Sequence, residues 1–304
     1  MCKTGNELNT GNELKTGLKD IDIPEWLRFP LMKVGYRVGG NYVSCLRSLL
    51  MWHNETINAW TMIAISAFSL AFMVYCLVEL SPKNGDITPF VAMFLSVFVH
   101  VPFSVGYHLF MPISQDVYNH WRKLDIMFIF VASCFLTYSL CYFIMPIWIT
   151  CLITGAALVV SVTAIMKTMQ LAPCQPMNRQ THTLFIASIV FVYYIPIVYQ
   201  GVKDVMDDKF TIAVTTMFIV PMLLVLGGYV YAKHWPECNY PARFDLLGRS
   251  HQILHVLAGL AHVMECVFLY SVYLRFRESP SSLLVNSIGW CFNKRTTSPL
   301  ENWR

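Results

Sequence analysis

The chain has 304 residues, 56% of them hydrophobic and 13% charged, about half the charged share usual for a soluble domain. Its formal net charge is only +4 and its Lys and Arg are not gathered into a block, which excludes nucleic acid as a partner on electrostatic grounds. Several apolar runs near 20 residues long make it an all-α membrane protein rather than a soluble one.

Residues 1–20 are polar and contain a short duplication, Thr4-Gly5-Asn6-Glu7-Leu8 repeated at Thr10-Gly11-Asn12-Glu13-Leu14. This composition predicts a disordered segment with no cleavable signal peptide. Residues 21–57 read as an interfacial segment. Ile23-Pro24-Glu25-Trp26-Leu27 suggests a short amphipathic helix, with Trp26, Phe29 and Leu31 at the head-group level, and Gly35-Tyr36-Arg37 reads as a turn. Seven apolar runs follow, near 58–80, 88–111, 124–145, 147–167, 182–202, 210–232 and 250–274, so 58–275 forms one seven-helix membrane domain. The short loops leave no room for a second domain. Residues 276–304 are polar and Ser/Pro-containing, and read as a flexible tail. The ten Cys are scattered, mostly inside apolar runs, with no CxxC pair; that pattern reads as small buried residues rather than a disulfide framework.

Seven spans put the N-terminus on the same side as the loops after the second, fourth and sixth. That side carries 14 Lys and Arg against eight on the other. The positive-inside rule then predicts a cytoplasmic N-terminus and a lumenal or extracellular C-terminus, with the Asn54-Glu55-Thr56 acceptor sequence facing the cytosol.

In this topology polar groups converge. The second span ends with Ser104 and His108, four apart and so on one helix face. The third begins with Asp125, and the seventh with His251 and His255, again four apart. The end of the second span and the starts of the third and seventh all lie on the cytoplasmic side. Three His, one Asp and one Ser thus fall at similar depth. Three neutral imidazoles and a water make a catalytic zinc arrangement, and a nearby carboxylate orients a ligand or acts on the water. Groups at helix ends also serve as interfacial side chains or as partners of the helix dipole, and that reading stays open here. His100 and His262 share the faces of His108 and His255 but sit roughly 10–12 Å deeper, where a packed, hydrogen-bonded role is expected. Glu55 and Asp245, each just before a span and near Arg47, Arg243 and Arg249, suggest either a polar cap that pairs charges or a solvated loop.

Several blocks resemble the progestin and adipoQ receptor family of seven-span membrane proteins. They are Gly35-Tyr36-Arg37, Cys45-Leu46-Arg47-Ser48-Leu49 running into His53-Asn54-Glu55 with Asn58 and Thr61, Ser104 to Phe110, Lys123-Leu124-Asp125, and Arg243-Phe244-Asp245 leading to Ser250-His251-Gln252-Ile253-Leu254-His255. The resemblance covers about residues 33–275. It implies a Zn2+ ion held by His108, His251 and His255, with Ser104 and Asp125 as the catalytic Ser and Asp of the pattern. It also implies ceramidase-like amide hydrolysis, a membrane lipid (ceramide or fatty acid) in the helix-bundle cavity, and a Golgi or plasma-membrane setting. Other members of the family are receptors for steroid or protein hormones, so a non-enzymatic receptor, or a scaffold with structural zinc, is equally open at this point. One departure is Met62, where the family often has His after the Thr equivalent to Thr61; local hydrogen bonding there is the feature this puts in doubt.

Overall fold

The computed structural model describes residues 13–171 and 179–278; the N-terminal duplication up to residue 12 and the tail from 279 lie outside the described residues. Two short strands, β1 (Leu14–Lys19) and β2 (Val34–Gly39), precede a small helix α1 (Tyr42–Arg47). Then come α2 (Thr56–Glu79), α3 (Thr88–Phe98), α4 (Val101–Phe110), α5 (Gln115–Cys141), α6 (Ile147–Met169), α7 (Arg179–Met206), α8 (Ile212–Lys233) and α9 (Ser250–Glu278). Among the described residues, seven helical segments are long and apolar enough to cross a membrane, the second made of α3 and α4 together. The protein is an all-α, seven-span bundle.

Helix boundaries follow local chemistry. The third span starts earlier than its apolar run suggests because Ser114 caps it, its side chain accepting from the Val117 N–H at 3.2 Å. This adds a polar first turn that hydropathy does not register. Thr211 caps α8 through the Ala213 N–H. Pro146 ends the loop before α6, whose missing N–H is harmless at a helix start. The second span is broken between α3 and α4: Pro102, in the first turn of α4, has no N–H to continue the ladder. His100 sits at that break.

Two expectations for the N-terminal region are corrected. Residues 14–19, read as disordered, form β1, which pairs antiparallel with β2 from Leu14 opposite Gly39 to Lys19 opposite Val34. Their polarity suits an edge strand: residues 15–17 point outward while β2 is buried from Gly35 to Gly39. Gly35-Tyr36-Arg37, read as a turn, lies inside β2. Gly35 has φ +91°, and a Cβ there would meet Leu246 Cδ2 at 2.5 Å, so the position requires glycine. Trp26 packs edge-on against Tyr118, with ring centroids 5.7 Å apart, and Phe29 stacks on Tyr36 at 6.3 Å. Together Ile23, Leu27, Met32, Tyr36, Val38 and Met111 form a small apolar core that caps one end of the bundle. A larger core, in which Phe90 meets Tyr273 edge-on at 5.1 Å, closes the opposite end around the C-terminal turns of α2 and α9. The polar site lies beneath the first of these.

Candidate metal centre

α4 and α9 bring three imidazoles together. Ring centroids are 5.3 Å apart for His108–His251, 5.3 Å for His108–His255 and 4.7 Å for His251–His255. One nitrogen of each lies within 4.8 Å of the others, a grouping that could hold a metal ion. The 3.6-residue repeat puts the His251/His255 pair on one face of α9. The start of that helix is held by Glu237, which is buried and accepts from the Ser250 N–H at 2.9 Å and from the Ser250 hydroxyl. Gln252 adds a second clamp, its Oε1 accepting from the Gly248 N–H at 2.7 Å.

The hydrogen bonds around the cluster decide which nitrogens are free. His108 Nδ1 donates to Glu55 Oε2 at 2.7 Å, and its Nε2 is buried with no partner among the described residues. Thr61 has one hydroxyl proton, spent on the Asn58 carbonyl at 2.9 Å. Its oxygen therefore accepts from His255 Nδ1, 3.1 Å away, which leaves His255 Nε2 as the basic nitrogen. An orphaned, buried imidazole nitrogen needs an explanation in any fold, and a metal ion supplies one. The donor set of neutral imidazoles, two of them steadied through Nδ1 by an oxygen, matches what zinc takes from proteins.

Glu55 does pair with an arginine, as a charge-paired cap would have it, but its main partner is an imidazole that the expectation did not include. The residue is 2% exposed and its carboxylate receives four groups. They are His108, the Asn58 amide at 2.7 Å, the Asn54 amide at 2.9 Å and, more distantly, Arg249 at 3.8 Å. Burial alone would raise its pKa, but the His108 hydrogen bond, Arg249 and Asn58 outweigh it and hold the group below the usual carboxylate range. The available signal was its spacing: Glu55 and Asn58 are three apart at the mouth of a span and so share a face. Asp245 also pairs differently from the expectation, with Oδ2 accepting from the Lys33 and Val34 N–H groups at 2.9 and 2.8 Å. Asn54 is buried and bonded to Glu55, which leaves no room for a glycan. The Thr61 bond stands with Met62 beside it.

Ser104 lies buried on α4, one turn from His108. Asp125 is not part of the three-imidazole group; its Oδ1 accepts from His100 Nε2 at 2.8 Å, within electrostatic reach of His108 and His255. The α4–α5 approach that makes this pair depends on Gly106, where a Cβ would overlap the Trp121 indole. His262 is packed as expected, 3.1 Å from the Ser69 hydroxyl and 3.5 Å from Glu265. A cleft of about 450 Å³ lies between α3, α5 and α6, lined by Val91, Leu95, Phe135 and Thr154 among others; none of the three imidazoles borders it.

Residues 50–266 match the family model described as haemolysin-III related. Among curated relatives, the chain is 23% identical over 245 residues to "Adiponectin receptor protein" of Drosophila melanogaster, covering 78% of this chain and 55% of that protein. It is 26% identical over 249 residues to "Progestin and adipoQ receptor family member 3" of Mus musculus, covering 75% and 76%. It is 23% identical over 304 residues to "Membrane progestin receptor beta" of Sus scrofa, covering 90% and 82%. The chain thus spans little more than half the length of the fly relative.

Proposed function

This chain belongs to the haemolysin-III related family of seven-span membrane proteins, and from that premise we propose that His108, His251 and His255 hold a zinc ion and that the protein hydrolyses the amide bond of ceramide-type sphingolipids. The observation that carries the reading is the convergence of three imidazoles, with His108 and His255 tied through Nδ1 and the Nε2 of His108 left without a partner. Bound zinc supplies a Lewis acid and a water of near-neutral pKa.

The protein's own groups do the rest. Asp125 accepts the proton released when water adds to the amide carbonyl, and passes it to the departing amine, so the products are a fatty acid and an amino alcohol. His100 holds the Asp125 carboxylate through its 2.8 Å hydrogen bond. Ser104, one turn from His108, offers a hydroxyl to the oxygen that gains charge. Apolar walls between the helices take the acyl chain and keep bulk water away. The product chemistry connects the protein to lipid signalling, in the Golgi or plasma membrane, with the site on the cytoplasmic side.

A second reading is favoured by the names of the relatives, an adiponectin receptor and a membrane progestin receptor. In it the same cluster is structural and the bundle is a receptor for a steroid or protein hormone. One experiment separates the two: fatty acid release from ceramide by the purified protein, with and without chelator. Turnover that chelation abolishes and zinc restores supports the hydrolase. Full zinc occupancy without turnover supports the receptor.

A further inference from the structure

The face of α1 and the 3-10 turn that follows it (Ser48–Leu50) has no role in the site. Cys45 and Ser48 are fully buried against the bundle, while Tyr42, Val43, Leu46, Leu50, Met51 and Trp52 point outward. Leu50 is 84% exposed and Val43 and Trp52 are each 59% exposed. Such a continuous apolar surface on a soluble face would be unusual, and the segment is far too short to span a bilayer. Its depth is set by a neighbour. Trp60, in the second turn of the spanning helix α2, donates its indole N–H to the Leu49 carbonyl at 3.0 Å, so the elbow lies level with the start of a span. Tyr and two Trp beside an exposed Arg47 are the side chains found where acyl chains give way to phosphates.

The buried face of the elbow leads to the candidate metal centre. Ser48 accepts from Arg37 Nη1 at 2.5 Å, and Arg37 donates through Nη2 to the His108 carbonyl at 2.7 Å and through Nη1 to that of Leu109 at 3.3 Å. A second chain of bonds runs beside it. His53 Nε2 donates to the Ser48 carbonyl at 3.1 Å, and His53 Nδ1 accepts from the N–H of Glu55 at 3.1 Å. Glu55 in turn holds His108.

We propose that α1 and its following turn form a membrane-surface anchor: they seat in the head-group and acyl boundary of the leaflet on the site's side, with Arg47 among the lipid phosphates, and through Ser48–Arg37 and His53–Glu55 they brace the end of α4 that carries His108. The occupant of the surface is the leaflet itself, because the patch is continuous with the lipid-facing start of α2. The link to metal binding rests on the zinc reading above; the anchoring and bracing do not.

Nitroxide labels at Leu46→Cys and Leu50→Cys, in a chain whose other accessible cysteines are Ser, report depth by collision with oxygen or with a water-soluble nickel chelate. In nanodiscs of mixed neutral and anionic lipid, both positions are expected to favour oxygen several-fold over a label at the exposed Asp22→Cys. Nickel access equal to that at position 22 overturns the anchor. For the brace, the double variant Leu46→Glu/Leu50→Glu is compared with the parent by hydrogen exchange. Amides near the end of α4 are expected to exchange several-fold faster, while those in the opposite core around Leu269 stay unchanged. Equal exchange at both places overturns the brace, and faster exchange everywhere overturns it as well, since that marks general unfolding. Zinc content measured on the same samples is a separate readout: a parent protein without zinc defeats the metal reading and leaves the anchor to be decided by the labels and the exchange.

Discussion

Replacing Glu55 with Gln tests the architecture of the candidate centre most directly. The carboxylate fixes His108 by accepting from Nδ1 at 2.7 Å while both Asn amides donate to it. A Gln keeps the shape but loses the negative charge that raises the basicity of the opposite nitrogen. It also turns one acceptor into a donor, which must face His108, Asn54 or Asn58, all of them donors. One hydrogen bond is therefore lost and a donor is left buried. Loss of such an outer partner typically weakens metal binding about 10- to 100-fold, about 1.4–2.8 kcal/mol. His108→Ala should cost far more, because two imidazoles remain in place of three. Competition titration with a zinc chelator, on protein purified into nanodiscs, gives the three affinities. The expected order is parent, then Glu55→Gln, then His108→Ala. An unchanged affinity for Glu55→Gln would refute the argument that Glu55 tunes the site, and full zinc in His108→Ala would refute the ligand assignment itself.

Asp125→Ala should keep most of its zinc and lose ceramide hydrolysis, since the carboxylate acts on a proton and not on the ion; metal content and product release on one preparation check this. His251→Ala should lose zinc by mass spectrometry, while His100→Ala and His262→Ala stay near parent levels; the reverse pattern would move the site deeper into the bundle. Asp245→Ala should lower thermal stability by about 1–3 kcal/mol, because two backbone N–H groups lose a buried, charged acceptor, whereas Asp22→Ala, at an exposed position, should change little. Tags on the two termini in intact cells should show the N-terminal tag cytoplasmic and the C-terminal tag outside; the opposite result would put the site on the other face.

The membrane class, the seven spans and the depth of His108, His251 and His255 were legible in the sequence, because each rests on local periodicity and run length. Hydropathy places a span, helical spacing puts His251 and His255 on one face, and alternating direction puts the end of the second span beside the start of the seventh. What the tertiary structure decided concerns groups far apart in the chain. Glu55 reads from its neighbours as a loop carboxylate, and only the packing of α2 against α4 turns it onto His108. Asp125 takes His100 as its partner because Pro102 breaks the second span there and Gly106 lets α5 come close. The polar residues 14–19 become a strand because β2, some twenty residues on, offers them a hydrogen-bonding edge. The lipid-facing side of α1 emerges only once its other side is buried. A sequence states which side chains exist and which local periods they obey; which buried polar atom meets which is settled only when distant segments share a space that water does not enter.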